Sequence, residues 1–153
     1  MIDHFKDLQL YNQWANGVVV DALQNNEMPE KAIELMSHII NANMIWLDRL
    51  EGRVSGLEVW KVCEKGQLRE LLKRSDIALM NFINNCSEEK LSDNIEYVNT
   101  KGEKFSSGII EILIHLNFHS AYHRGQIISL LKGKVFPLPY TDYILYARKI
   151  KSI

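Results

Sequence analysis

Apolar residues return every three or four positions over most of this chain, the signature of amphipathic helices rather than strands. From Ile2 to Gln24 the stripe runs through Phe5, Leu8, Ala15, Val18 and Ala22. The stretch NNEMP breaks it, and Pro29 suits a helix start. A second helix is predicted over about Glu30 to Leu50, with Leu35, Ile39, Ala42, Trp46 and Leu50 on one face. Gly52 and Gly56 end it, and LEVWKVCEKG after them has no clear period. A third helix is predicted over about Gln67 to Asn85, through Leu68, Leu71, Leu72, Ile77, Leu79 and Phe82. The pattern then changes. Ile95, Tyr97 and Phe105 are strand formers on either side of NTKG, a good hairpin turn. The fourth long helix starts after Ser106 or Ser107, carries Glu111 in its early turns, and runs to Lys132, where Gly133 can cap it. A short last helix follows PLPYTD, roughly Tyr143 to Lys149.

The pattern as a whole predicts an all-α fold: a four-helix bundle with a small β-hairpin between helices three and four and a short C-terminal helix. No repeat or linker interrupts it, so residues 1–153 read as one domain. Composition narrows the function. A net charge of −1 gives no electrostatic footprint for nucleic acid. No apolar run approaches the ~20 residues of a membrane span, and the N-terminus lacks the apolar core of a signal peptide. The expected location is cytoplasmic. Cys63 and Cys86 form no C-x-x-C pair, so they are expected to be reduced structural thiols rather than a thiolate metal site.

The candidate chemistry lies in HLNFHSAYHRGQ, where His115, His119 and His123 fall one helical turn apart. On a helical wheel Ile109, Ile112, Leu113, Leu116, Ser120, Ile127, Leu130 and Leu131 form one stripe. His119 and His123 lie inside that stripe and His115 at its margin, beside Gln126. Two inward imidazoles one turn apart can chelate one ion, as in H-x-x-x-H zinc helices. The competing reading is a pair of hydrogen-bonded core histidines, each needing its own partner. Catalytic zinc usually takes three protein ligands. His38, beside the stripe of the second helix, can face the fourth helix and supply the third, or it is a plain boundary histidine. His4 and His115 are the other candidates. Ser120 stands where H-E-x-x-H peptidases have their general base, and no histidine has Glu three residues before it, as a ferritin-like di-iron bundle requires.

The chain resembles the DinB/YfiT-like family of small metal-binding four-helix bundles, over nearly its whole length. YNQWAN looks like the family's first-helix signature, SHIINANMIWLDRL its second helix, IEYVNTKGEKF its hairpin, HLNFHSAYHRGQI its most diagnostic motif, and PYTDYILYARK its C-terminal end. The resemblance implies that His38, His119 and His123 form a metal triad, with His115 at a non-ligating position. It implies a divalent ion such as zinc or nickel, and in some relatives S-transfer from a low-molecular-weight thiol cosubstrate.

Two functions are therefore expected. In one, a three-His site with an open fourth position activates a thiol for transfer, or water for hydrolysis, on an unknown small-molecule substrate. In the other, the ion only stabilises a non-catalytic binding or stress-response module. Around the site, Asn41 and Gln126 are candidates to bond a ligand imidazole or plain boundary residues. Trp46, Trp60 and Tyr122 are candidate pocket walls or core. Arg124 is expected in a surface or interhelix ion pair, and Asp142 as a helix cap. Ile110, Ile114, Ala121 and Ile128, on the opposite side of the fourth helix, are expected to contribute to a homodimer surface, which the resemblance also suggests.

Overall fold

The computed structural model describes residues 1–24, 27–99 and 101–151. Helices α1 (Ile2–Gln24), α2 (Glu30–Leu50), α3 (Leu68–Asn84) and α5 (Ile109–Leu131) are the long ones. Their bounds follow the predicted periodicity closely. Asn25 and Asn26 of the expected helix break lie outside the described residues. The bundle is all-α apart from one antiparallel hairpin, β1 (Asn94–Val98) with β2 (Lys104–Gly108), paired from Asn94 opposite Gly108 to Val98 opposite Lys104. Thr100 of the expected hairpin turn is likewise outside the described residues. Asn99 Oδ1 accepts the N–H groups of Lys101 and Glu103 there, and Gly102 takes a positive φ of 81° that a side chain would disfavour.

Two elements differ from expectation. A four-residue helix, α4 (Glu88–Leu91), follows α3, with the Ser87 hydroxyl accepting the Lys90 N–H as its cap. It is too short for periodicity to reveal. The last helix is α6 (Tyr143–Leu145), which widens into a π-helical turn at Tyr146–Ile150. Asp142 holds the capping position of α6, but its side chain makes no capping bond.

α1 packs on α3 and α5, and α2 packs on α5 and α3, so α1 and α2 lie on one diagonal. The core is in two parts. One end joins Val19, Leu23, Met36, Ile39, Leu68, Ile127 and Leu131. The other joins Phe5, Leu47, Leu79, Phe82, Ile109, Ile112 and Leu116. Burial of these side chains, at roughly 1.5–3 kcal/mol each, holds the helices at fixed spacing. Between the two parts every long helix contributes buried polar groups: Asn12 and Asn16, His38 and Asn43, Ser75 and Asp76, His123 and Arg124. Ile77, expected in the α3 stripe, is instead 49% exposed, and its neighbour Asp76 is the buried one. Ile110 and Ile128 pack against the core, whereas Ile114 and Ala121 are exposed, so only part of the expected dimer face is open.

β2 passes into α5 without an intervening residue. Gly108 is both the last strand residue and the helix cap, one position later than the serines suggested. Its N–H is accepted by the Glu111 carboxylate at 2.9 Å, which also places an acid at the positive end of the helix dipole.

Candidate metal centre

α5 carries a histidine face toward α2 because residues four apart lie over one another on a helix. His119 and His123 are stacked this way, and His38 meets them from α2. Each of these three histidines offers a ring nitrogen, and the three atoms lie within 4.8 Å of one another. Among the described residues this is the one group of histidine, cysteine or acidic side chains that could hold a metal ion. His115 sits at the rim, its ring 5.4 Å from that of His119, outside the group. His4 is exposed at the start of α1 and packs edge-on to Phe5.

The hydrogen bonds orient the rings. His38 Nδ1 donates to the Val59 carbonyl at 3.2 Å, and His123 Nδ1 donates to Gln126 Oε1 at 2.7 Å. Both rings therefore turn a bare Nε2 lone pair toward the cluster. Such partners on the far nitrogen are what metal-binding imidazoles usually have. His38 Nε2 lies 2.9 Å from His119 Nε2. Two lone pairs repel at that distance, so without an ion His119 must donate there. Its Nδ1 is then buried with no partner among the described residues. A cation among the three rings would take the converging lone pairs that one shared proton cannot satisfy together, so the donor set fits a divalent ion.

The electrostatics agree. Burial, then the adjacent His123, His38 and His115, hold the His119 pKa down at about 3. Burial likewise lowers His38, only partly offset by the Val59 bond. Both are neutral near pH 7, as a ligand must be. The dominant cause is desolvation of the charged form.

The segment without periodicity supplies the wall. Trp60 stacks on His38 with ring centres 3.7 Å apart. Asn41 donates to the Lys61 carbonyl at 2.8 Å and, more weakly, to that of Glu58, so it positions this loop and not an imidazole. The Ser37 hydroxyl accepts the Cys63 N–H and contacts Cys63 Sγ. Both cysteines are free thiols. Beside His123 opens a cavity of about 480 Å³ lined by Lys31, Leu35, Trp60, Tyr122, Gln126 and Leu130. Trp46 lies on the other side, edge-on to His115 and Tyr97.

Arg124 does not take the surface or interhelix ion pair expected of it. It is 1% exposed and makes no ion pair among the described residues. Its Nη1 donates to Asn12 Oδ1 at 2.7 Å and Asn16 Oδ1 at 2.9 Å, and its Nη2 to the Tyr11 hydroxyl at 3.1 Å. Tyr11 in turn donates to the Thr141 carbonyl, tying the C-terminal segment to α1. The signal for this was in the sequence. Asn12 and Asn16 interrupt the α1 stripe one turn apart, and Asn117 and Arg124 interrupt that of α5 about two turns apart.

Comparison with known proteins adds two findings. The DinB family model matches residues 1–150. The chain is also similar to Protein DinB of Bacillus subtilis (strain 168), at 23% identity over 99% of this chain and 98% of that protein. No solved structure matches.

Proposed function

Because the chain belongs to the DinB family, we propose that it is a metal-dependent enzyme whose ion is held by His38, His119 and His123, acting on a small molecule through an open fourth position. The observation that carries this is the convergence of three ring nitrogens within 4.8 Å, with Val59 and Gln126 orienting two of the rings. Three neutral nitrogens favour zinc or nickel over the harder magnesium and calcium. When bound, such an ion supplies Lewis acidity that favours the anion of a thiol or of water.

The chain's own residues do the remaining work. Val59 and Gln126 hold His38 and His123 in the tautomer that leaves Nε2 free. Trp60 shields His38 from water on one face. Trp60 and Tyr122 give the cavity beside His123 apolar walls, with Lys31, paired to Glu34, at its edge. No carboxylate joins the imidazole group, so no general base competes with a thiol that ionises on its own. That favours S-transfer from a low-molecular-weight thiol to an electrophile over hydrolysis. The two free cysteines suit a reducing, cytoplasmic setting, and the exposed Ile114 and Ala121 suit a homodimer.

The test is to load the protein with zinc or nickel, add a thiol and a generic electrophile such as a chlorodinitrobenzene, and compare with His119→Ala. A rate that falls to background in the variant is expected. Equal rates in both proteins overturn the proposal.

A further inference from the structure

The imidazole cluster does not end the line of rings along the α2–α5 seam. His119 leads to His115, His115 to Trp46 at 5.6 Å between ring centres, and Trp46 to Tyr97 at 5.0 Å. At the end of this line stands Arg49. Its guanidinium lies 4.4 Å from the Trp46 ring centre and 4.9 Å from that of Tyr97.

Arg49 is half-buried and has no acid partner among the described residues. The acids nearest to it in sequence, Asp48 and Glu51, are both engaged by Arg53. Glu96 of the hairpin lines the same cavity and makes no ion pair with Arg49. That cavity, about 340 Å³, is bordered by Ile45, Arg49, Gly52, Arg53 and Tyr97. Burial lowers the Arg49 pKa, yet a guanidinium stays charged. Two aromatic faces stabilise the cation without neutralising it. They also fix the plane of its donor fork, which suits two-point binding of a carboxylate or phosphate.

We propose that Arg49 anchors a carboxylate or phosphate group on the small molecule that reaches the imidazole cluster from the hairpin side. Helical side chains lean toward the N-terminus, which is why this guanidinium stands over Trp46. Trp46 follows His38 by eight residues, about 12 Å along α2 at the helical rise. The anionic group and the reactive group of the ligand are therefore separated by about that distance. The line between them runs past the His115 imidazole and the Trp46 indole, so the linking part of the molecule would lie against aromatic faces, which hydrocarbon tolerates. This rests on the metal-centred reading above for the reactive end only.

The anchor is tested on metal-free protein. Succinate and inorganic phosphate are titrated separately while the Arg49 Nε–H resonance, identified by its loss in Arg49→Lys, is followed. A saturable shift with either anion is expected, and the anion that gives it identifies the group. Binding should weaken by about tenfold or more in Arg49→Gln, the value of one charged hydrogen-bonded contact. His119→Ala should titrate like the parent. If Arg49→Gln loses its helical circular dichroism, Arg49→Lys, which keeps charge but not the flat fork, should show the weakening. No saturable shift with either anion, or undiminished binding in the variants, overturns the anchor. The span is tested on cobalt-loaded protein by the thiolate absorption band. 8-Mercaptooctanoate should bind about tenfold more tightly than 8-mercapto-1-octanol, and Arg49→Gln should abolish the preference. Equal affinities overturn the placement. Anion binding without entry of either thiol would instead count against the thiol reading and leave the Arg49 anchor standing.

Discussion

His123 and Arg124 are consecutive, yet they serve opposite seams of α5 and obey different rules. On the α1 side, donors meet acceptors, apart from the Asn16 amide nitrogen, which has no partner among the described residues. Arg124 bonds Asn12, Asn16 and Tyr11, and Asn12 bonds Asn117, whose amide is accepted by the Leu113 carbonyl. On the α2 side, inward lone pairs outnumber donors. His38 and His123 turn lone pairs toward one point, and His119 is left with a buried Nδ1 that has no partner among the described residues. Both seams bury polar groups, Asn12, Asn16 and Arg124 on one side and His38 and His123 on the other. Burial therefore does not separate a strut from a binding site, whereas the sign and direction of the unspent hydrogen-bonding capacity does.

The comparison breaks most visibly at Arg124. Arg124→Met should cost about 2–4 kcal/mol, because it leaves the acceptors of Asn12 and Asn16 buried without their donor and takes one partner from Tyr11. Urea unfolding of the metal-free protein measures it. A loss under about 1 kcal/mol would show that the α1 seam is not a strut.

The α1–α3 seam offers a third case. Asp76 is buried there, bonded only weakly to Gln9 Nε2 at 3.4 Å, and burial raises its pKa to about 7. The folded value lies above the unfolded one. The protonated form therefore favours the native state below about pH 4, and that stability is lost as pH rises through about 7. Asp76→Asn keeps the acceptor and removes the charge. It should be more stable than the parent at pH 8 by roughly 2–4 kcal/mol, an advantage that shrinks toward pH 4. A gain that is the same at both pH values would reject the burial argument.

The smallest effect should fall on the α2 side. Gln126→Leu removes the acceptor of His123 Nδ1 without emptying the ligand set. Metal affinity should drop about 10–100-fold, roughly 1.4–2.7 kcal/mol, while the metal-free protein keeps its stability. Competition with a chromophoric chelator reads the first quantity and thermal melting the second. The reverse outcome, lost stability with unchanged affinity, would make Gln126 part of a strut.

Much of this was legible from the chain alone, and for a definite reason. Long helices repeat their period many times, so the bounds of α1, α2 and α5 emerge clearly. The histidine face emerges with them, because the same 100° step places Ile112, Leu116 and His123 together. What stayed hidden was whatever period cannot encode. Val59 and Trp60 meet His38 from a segment with no regular structure, and no local signal aims them there. Ile77 follows an apolar rule that its neighbour Asp76 overrides by being the inward residue. Arg124 was read as an ion-pairing residue because charge usually means surface, although the polar breaks in the α1 and α5 stripes carried a signal. The asparagines that receive it lie more than a hundred residues away in the chain.

The junction at Gly108 has a further consequence. With no loop between β2 and α5, the hairpin sets the phase of the helix, as a key sets the rotation of a shaft. One residue inserted between Gly108 and Ile109 would advance every downstream side chain by about 100° or force the strands to slip. His119 and His123 would swing off the α2 seam together, and Arg124 would leave its asparagines in the same turn. Length changes that leave the chemistry of every residue intact would thus be more damaging at this joint than many substitutions, and tolerance to insertion should fall to its minimum there.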